Sequence, residues 1–243
     1  MGRHSYTYKS LNRSVGKAIH RYEMIEDGDR IAVGVSGGID SLTLLWILHE
    51  RLKRINISYK LFPIYIDPGF EGGSTEALKD YCRKMGCSLI VDKTTHGVLA
   101  HSSENLENPC FLCSKLRRKR LFEIAGESGC SKLSLGHNMD DIIETLFINM
   151  FYAGQISTMV PSQILFKGKF TIIRPLAFVD KNRIKSFAKV HGFPDFANPC
   201  PSAKKTKRFE MKNMLNQIYK TNKKIKGNIF RALSNVKEDY MLK

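Results

Sequence analysis

Apolar residues along the chain fall into short continuous runs separated by stripes at helical spacing. The runs predict buried strands at residues 30–35, 61–66, 88–91 and 132–135, with residues 170–173 also extended. The stripes predict helices at residues 11–25, 42–52, 74–84, 111–125, 139–152, 181–190 and 209–219. Strands that alternate with helices of this length favour an α/β fold, in which a parallel sheet has helices on both faces.

The helix predicted at residues 139–152 has a clear apolar face. Its expected buried residues are Ile143, Leu146, Phe147 and Met150. Phe151 and Tyr152, at its end, are expected in the core rather than on a surface where an RNA base could stack.

Three segments that follow predicted strands carry polar residues or glycine, at residues 36–41, 67–70 and 136–141. The carboxyl ends of parallel strands lie at one edge of a sheet, and ligands bind there. We therefore expect these segments to meet and to form the functional site.

The chain has 243 residues, enough for one sizeable domain with small additions at its ends. No apolar run reaches the roughly 20 residues that span a bilayer, and residues 1–17 contain no signal-peptide core. We therefore expect a cytoplasmic protein without a membrane partner. The expected organisation is an N-terminal helical segment at 1–26, a central domain at 27–200 and a basic helical segment at 201–243.

The net charge is +16, from 39 Lys and Arg against 23 Asp and Glu. This surplus favours a polyanionic partner, because phosphates that bind Lys and Arg release counterions. Residues 115–120 place five basic side chains in six positions of one predicted helix. Lys115, Arg117 and Arg118 are therefore candidate contacts for the phosphates of ATP or RNA.

The sequence Ser-Gly-Gly-Ile-Asp-Ser at residues 36–41 lies between a strand and a helix. Glycine backbones there can approach an anion, and the helix start offers unpaired N–H groups. The candidate nucleotide-binding residues of this loop are Ser36, Gly37, Gly38, Asp40 and Ser41. Asp40 could hold Mg²⁺ or cap the helix. The loop lacks the Gly-Lys-Ser/Thr ending of P-loop enzymes and the spaced glycines of dinucleotide-binding folds.

The sequence Gly-His-Asn-Met-Asp-Asp at residues 136–141 also follows a strand and begins a helix. Its aspartates could simply complement the helix dipole. Beside a nucleotide, Asp141 could instead bind Mg²⁺, and His137 could contact phosphate or ribose. Asp67, at the end of the second strand, is a further candidate for the nucleotide site.

Three of the six cysteines lie outside the predicted core. Cys110 and Cys113 form Cys-x-x-Cys at the start of the basic helix, and Cys200 follows almost ninety residues later. Three thiols suit an iron–sulfur cluster with one open iron. A redox pair, or zinc with a histidine as fourth ligand, is an alternative. The other cysteines are interpreted as small core residues: Cys82, Cys87 and Cys130.

Several of these segments occur together in the order that one family shows. They are the loop at 36–41, Cys110-x-x-Cys113 with Leu116-Arg117-Arg118, the segment at 136–141, Glu144-Thr145-Leu146-Phe147-x-Asn149-Met150-Phe151-Tyr152, Ile173-Arg174-Pro175-Leu176 and Pro199-Cys200. From about residue 11 almost to its end, the chain resembles the tRNA 2-thiocytidine synthetases, which belong to the PP-loop ATP pyrophosphatases. The resemblance implies an adenine nucleotide alpha hydrolase-like fold with a helical C-terminal extension, and it adds Arg174 to the candidate RNA or phosphate contacts.

The resemblance also implies a reaction. ATP and Mg²⁺ would activate C2 of an anticodon-loop cytidine in tRNA as an adenylate, with Asp40 as a catalytic residue. Cys110, Cys113 and Cys200 would be catalytic as the ligands of a [4Fe-4S] cluster that presents sulfur, and AMP would leave with the C2 oxygen. A cysteine desulfurase or another source would supply sulfide, and a homodimer is compatible with the family.

Two departures from the family pattern leave the target nucleoside open. Ile39 stands where many members carry Lys, so Lys115, Arg117 or Arg118 would have to supply that phosphate contact. After Cys200, the second nearby cysteine expected in bacterial members is absent. The alternatives are a sulfurtransferase for another tRNA nucleoside or a small molecule, a non-thiolating PP-loop ligase, and a metal-bound RNA-binding or redox-sensing module without ATP chemistry.

Overall fold

A six-stranded sheet forms the centre of the structure, a computed structural model that describes residues 6–194, 196, 199–202 and 206–242. The strands are β1 (Asp29–Gly34), β2 (Tyr59–Asp67), β3 (Ile90–Lys93), β4 (Lys132–Ser134), β5 (Ser162–Leu165) and β6 (Phe170–Ile173). Their spatial order is β3-β2-β1-β4-β6-β5. Strand β5 pairs antiparallel with β6, while the other neighbours pair in parallel, so the predicted parallel α/β sheet is confirmed.

Helices connect and cover these strands. They are α1 (Tyr6–Arg21), α2 (Ile39–Leu52), α3 (Thr75–Lys84), α4 (His96–Ala100), α5 (Pro109–Glu127), α6 (Met139–Ala153), α7 (Lys181–Val190), α8 (Lys207–Thr221) and α9 (Ile225–Ala232). Short 3₁₀ turns follow at Phe166–Gly168 and Glu238–Tyr240. Every predicted helix and strand is present, whereas α4, α9 and the edge strand β5 were not predicted.

The two faces of the sheet bury separate apolar clusters, as the alternation along β1 requires. Ile31 and Val33 pack in a cluster with residues of α1, α2, α3 and α7. Ala32, which points to the other face, packs in a cluster that includes Ile124 of α5. Helices therefore lie on both faces, and the strand ends are left open at the edge of the sheet.

The strand ends bring two of the predicted segments together. Gly34 is in register with Ile64 of β2, and Val33 is in register with Ser134 of β4. The chain leaves β1 and β4 side by side, so the segments at 36–41 and 136–141 are neighbours. The predicted meeting of these two segments is confirmed.

Helices α8 and α9 pack against α6 through a small apolar cluster centred on Ile143, Met211 and Leu215. The last turn of α6 is more exposed. The expectation that its last apolar residues are buried is wrong, because Met150 is 40% exposed and Phe151 and Tyr152 are each 54% exposed. No helix in the described ranges is long and apolar enough to cross a membrane.

Candidate active site

The loop at residues 36–41 is held in shape by its own serines. The Ser36 amide donates to Ser41 Oγ at 3.0 Å, and Ser41 Oγ donates to the Gly38 carbonyl at 2.9 Å. Gly37 has φ +80°, in the left-handed region that glycine tolerates best. Helix α2 begins at Ile39, within the loop, so its first unpaired N–H groups belong to the loop, as anion binding requires.

The segment at 136–141 lies directly against this loop. A Cβ at Gly136 would approach the carbonyl carbon of Asp40 and the amide nitrogen of Ser41, each at 3.1 Å. Asn138 Nδ2 donates to Asp40 Oδ1 at 3.2 Å. The close backbone approach explains why glycine precedes the histidine.

The two segments line a cavity of about 280 Å³. Its lining residues are Gly34, Val35, Ser36, Asp40, Ser41, Ile66, Arg117, Leu121, Leu135, Gly136, His137 and Asp141. The cavity thus joins the loop, the acidic helix start and the basic helix that were predicted to form the site.

Asp40 and Asp141 are the carboxylates of this cavity. Burial raises the pKa of Asp40; the positive charge of Lys181 opposes the rise and the negative charge of Asp141 adds to it. Asp141 also caps α6, since its Oδ2 accepts from the Asn138 amide at 2.9 Å. Two carboxylates suit Mg²⁺, which usually takes one or two from protein and further oxygens from phosphates. The described residues contain no set of three or more His, Cys, Asp or Glu side chains that could hold a metal ion by itself.

His137 lines the cavity as an uncharged group. Burial lowers its pKa to about 3, helped by the positive charges of Arg174, Arg208 and Arg118. Its Nδ1 is buried without a hydrogen-bond partner in the described part of the chain. A neutral imidazole can exchange hydrogen bonds with a base or ribose but adds no charge to attract phosphate.

Asp67 and Arg174 are not among the residues that line the cavity. Asp67 is engaged in its own turn, where Oδ1 accepts from the Gly69 amide at 2.9 Å and Oδ2 accepts from Thr75 Oγ1 at 2.6 Å. Arg174 is buried and donates to the Val160 carbonyl at 2.5 Å. In this structure Asp67 shapes a turn and Arg174 braces β5 and β6.

Helix α5 presents Cys110 and Cys113 in its first turns. Asn108 caps the helix, its Oδ1 accepting from the Cys110 amide at 3.0 Å. All three candidate thiols are partly exposed, including Cys200. Burial raises the pKa of Cys110, and the nearby thiols of Cys200 and Cys113 raise it further. The three cysteines are therefore close enough to influence each other electrostatically.

The segment that carries Cys200 is attached to the unpredicted helix α4. His101 Nδ1 lies 2.8 Å from the Gly97 carbonyl, an acceptor, so Nδ1 bears the proton. Its Nε2 lies 2.7 Å from Ser202 Oγ, within hydrogen-bond distance. This bond fixes the chain two residues after Cys200. The neighbouring Asn198 lies outside the described residues.

Arg117 connects the thiols to the loop cavity. Its side chain lines the cavity, and its positive charge opposes the burial that raises the pKa of Cys113. Lys115 and Arg118 are exposed on the same helix, and Lys115 Nζ lies 6.0 Å from the Phe111 ring centre. Of the basic run, Arg117 is thus the residue that reaches the cavity wall.

Basic residues that sequence reasoning missed surround the acidic start of α6. Lys181 forms an ion pair with Asp40, and Arg208 forms one with Asp141 at 3.3 Å. Lys226 Nζ donates to Asp140 Oδ1 at 2.7 Å and to Asp180 Oδ2 at 2.9 Å. The sequence signalled Arg208 and Lys226 only as part of a basic tail, and no local motif pointed to Lys181.

The site consists of a strand, a glycine turn and a helix start, with a second, acidic helix start lying against them. This arrangement defines an α/β protein of the PP-loop class. The chain matches the PP-loop domain family over residues 7–219. It is 37% identical over 238 residues to tRNA-cytidine(32) 2-sulfurtransferase of Geobacter sulfurreducens, covering 97% of this chain and 93% of the relative. The same enzyme of Geotalea daltonii is 38% identical over 239 residues, with coverages of 97% and 94%. The chain belongs to the PP-loop family and, within it, to the tRNA sulfurtransferases.

Solved structures support the fold. The U34-tRNA thiolase NcsA from Methanococcus maripaludis, solved with its [4Fe-4S] cluster, superposes with a TM-score of 0.78 at 24% identity, covering 97% of this chain and 80% of that chain. The NH3-dependent NAD synthetase of Campylobacter jejuni superposes with a TM-score of 0.54 at 13% identity, covering 96% and 94%.

Proposed function

We propose that the protein is an ATP-dependent tRNA sulfurtransferase that replaces the C2 oxygen of cytidine 32 by sulfur. The observation that carries this proposal is the position of Arg117, which lines the phosphate-loop cavity and whose positive charge lowers the pKa of Cys113 against the effect of burial. Helix α5 thus carries residues of both the nucleotide site and the thiol site. Activation followed by sulfur transfer requires that these two sites lie close together. The relatives named for this reaction align over nearly the whole chain.

The phosphate loop binds the polyphosphate of ATP through the backbone of Gly37 and Gly38 and the hydroxyls of Ser36 and Ser41. The start of α2 adds its partial positive charge. Asp40 and Asp141 hold Mg²⁺ together with phosphate oxygens. His137, uncharged at neutral pH, exchanges a hydrogen bond with the nucleoside part of ATP or with the target base.

The reaction proceeds by two substitutions. The C2 oxygen of the cytidine attacks the α-phosphorus of ATP, and pyrophosphate leaves with the electrons of the broken P–O bond. Sulfur at the sulfide level then adds to C2, and AMP leaves with the former C2 oxygen. AMP is a far better leaving group than oxide, which accounts for the use of one ATP for each sulfur.

Cys110, Cys113 and Cys200 hold the [4Fe-4S] cluster in this proposal. Cluster thiolates bind different irons, so they need not surround one point as the ligands of a single ion do. When bound, the cluster would supply sulfur at the sulfide level. Arg117, which lies on the same helix as Cys110 and Cys113, also lines the nucleotide cavity. A cysteine desulfurase or another sulfide source replenishes the sulfur.

The basic surface binds tRNA. Lys115 and Arg118 are exposed beside the thiols, and the phosphate backbone of the anticodon arm is their partner. Phe151 and Tyr152, which are exposed, are available for base stacking. We further propose a cytoplasmic location, a homodimer, and functional segments at residues 1–26, 27–200 and 201–243.

The decisive experiment is nucleoside mass spectrometry of tRNA from cells that lack the gene. Cells complemented with the wild type or with Cys82→Ala should contain 2-thiocytidine, because Cys82 packs in the apolar core and is not one of the three proposed cluster ligands. Cells complemented with Cys113→Ala should lack it. If 2-thiocytidine is unchanged by deletion, the proposal fails; loss of a different thionucleoside would indicate another target on tRNA.

A further inference from the structure

Lys181 is the first residue of α7, yet its side chain reaches the phosphate loop. Its Nζ donates to Oδ2 of Asp40, a residue 141 positions earlier in the chain. The side chains are largely covered, with 22% of Lys181 and 27% of Asp40 exposed. An ion pair this sheltered is more than a chance contact between mobile surface groups.

The backbone of Lys181 is fixed by the acidic residues around it. Its amide donates to Asp140 Oδ2 at 2.9 Å, at the start of α6. Asp180 precedes it as the cap of α7, with Oδ1 accepting from the Asn182 amide at 2.7 Å. Lys226 binds both Asp140 and Asp180, which joins the starts of the two helices. Lys181 is therefore positioned before any ligand arrives.

The phosphate loop itself lacks a cation. Residues 36–41 contain no Lys or Arg. The charged side chains that line its cavity are the carboxylates of Asp40 and Asp141 and the guanidinium of Arg117. With Asp40 and Asp141 assigned to Mg²⁺, Arg117 is the one cationic side chain among the described residues that line this cavity. A triphosphate carries several negative charges, so a second protein cation would strengthen its binding.

Lys181 lies on the boundary of this cavity. It lines a neighbouring cavity of about 220 Å³, which shares Asp141 with the cavity of the phosphate loop. An ammonium on a flexible four-carbon stem can exchange a carboxylate for a phosphate oxygen with a small movement of its end.

We infer that Lys181 is the polyphosphate-binding cation of this loop. In the nucleotide-free chain it neutralises Asp40, and with ATP present its ammonium contacts the β- or γ-phosphate. The inference rests on the proposed function, because it requires that ATP binds at residues 36–41. It also explains how a loop with Ile39 obtains a positive charge. The cation comes from α7, which follows the last strand of the sheet in sequence.

The test compares ATP and AMP binding by isothermal titration calorimetry with Mg²⁺ and without tRNA, in Lys181→Met and in wild type. Loss of one charge-assisted contact should weaken ATP binding about 10- to 100-fold. AMP, which lacks the β- and γ-phosphates, should bind both proteins within about threefold. Lys181→Arg should retain most of the ATP affinity. Lys185→Met removes an exposed charge from the same helix and should bind ATP like the wild type.

Each other outcome overturns the inference. Unchanged ATP affinity in Lys181→Met would mean that the ammonium serves Asp40 alone. If Lys181→Met weakened AMP and ATP binding equally, Lys181 would instead support the shape of the loop. If Lys185→Met weakened ATP binding as much as Lys181→Met does, the cause would be a general effect of charge. If the wild type bound neither nucleotide, the proposed function would fail as well. If the wild type bound ATP normally and only the result expected for Lys181→Met failed, the proposed function would stand.

Discussion

Asn138 donates from Nδ2 to Oδ1 of Asp40 at 3.2 Å and thereby joins the starts of α6 and α2 across 98 residues of sequence. Its other side-chain atom, Oδ1, accepts from the amides of Asp140 and Asp141 at 2.9 and 3.3 Å. Because Oδ1 must accept and Nδ2 must donate, the orientation of this amide is fixed. The phosphate loop and the acidic helix start are therefore held as one unit.

The glycine at this junction should not tolerate a side chain. In Gly136→Ala the new Cβ would lie 3.1 Å from backbone atoms of Asp40 and Ser41, which cannot swing aside as a side-chain end would. We expect a loss of about 1–3 kcal/mol in the free energy of unfolding, measured by urea denaturation, and weaker ATP binding.

Gly126 offers a matched control, because a Cβ there meets no atom within 4 Å. It lies in α5, where alanine is favoured over glycine. Gly126→Ala should therefore be neutral or slightly stabilising and should bind ATP normally. If the two variants had the same free energy of unfolding and the same ATP affinity, the close backbone approach at Gly136 would have room for a Cβ.

The elements that could be predicted from sequence are those with a strong local pattern. β1, β2 and β4 are buried on both faces, so their apolar runs are continuous. β5 lies at the edge with Ile164 71% exposed, and four such residues carry no distinctive alternation. Phe151 and Tyr152 follow the apolar residues of α6, but each stays 54% exposed, and Tyr152 lies beside the polar Lys207 and Glu210 of α8.

The parts of the site that follow strand ends could be predicted from the sequence. The parts that depend on partners far away in the sequence could not. The loop at 36–41 and Asp141 follow β1 and β4, so topology alone places them together. Lys181 meets Asp40 only because α7 returns to the same edge, and no spacing rule relates positions so far apart. Arg174 lies in a family motif, yet burial and the bond to Val160 give it a bracing position that sequence does not reveal.

The six cysteines should divide into two reactivity groups in the metal-free, reduced protein. Cys82, Cys87 and Cys130 are buried, and burial raises the pKa of Cys82 to about 11, so little thiolate forms there at pH 8. The partly exposed group is Cys110, Cys113 and Cys200. Iodoacetamide followed by peptide mass spectrometry should find this second group modified first.

Reaction in urea provides the control, since unfolding should make all six thiols equally available. Reconstitution with iron and sulfide should protect Cys110, Cys113 and Cys200 and leave the buried group unaffected. Rapid native labelling of Cys82 would contradict the burial described above.

Glu144 should make stability fall as pH rises. Burial, and then the charge of Asp141, raise its pKa from 4.5 to about 7, although Arg208 opposes them. Between these pH values the folded state binds more protons than the unfolded state, so the free energy of unfolding decreases with pH. Glu144→Gln removes this dependence and should gain about 2–3 kcal/mol over the wild type from pH 5 to pH 8, by urea denaturation in EDTA.

Glu50 provides a contrast for that series. Burial tends to raise its pKa, but Arg54 and Lys53 lower it overall, below the usual 4.5. Its stabilising effect is lost only when pH falls below that value. The difference between Glu50→Gln and wild type should stay flat from pH 5 to pH 8, and a slope like that of Glu144→Gln would point to a global effect of pH.

Lys226 should stabilise the junction of three helices. It is 15% exposed and binds Asp140 and Asp180 together. Lys226→Met leaves two sheltered carboxylates without their shared cation, and we expect a loss of about 2–3 kcal/mol in the free energy of unfolding. Lys220→Met, an exposed change on α8, should cost less than about 0.5 kcal/mol. Hydrogen exchange should show α9 opening more often only in Lys226→Met.

The contacts of Arg208 and Lys226 with the start of α6 also set an order of events during protein synthesis. Both residues are translated after all six strands. On the ribosome the sheet can pair and the phosphate loop can form while Asp140 and Asp141 still face water without these cations. The nucleotide edge is completed only when α8 and α9 emerge, so the sheet can form before the full site does.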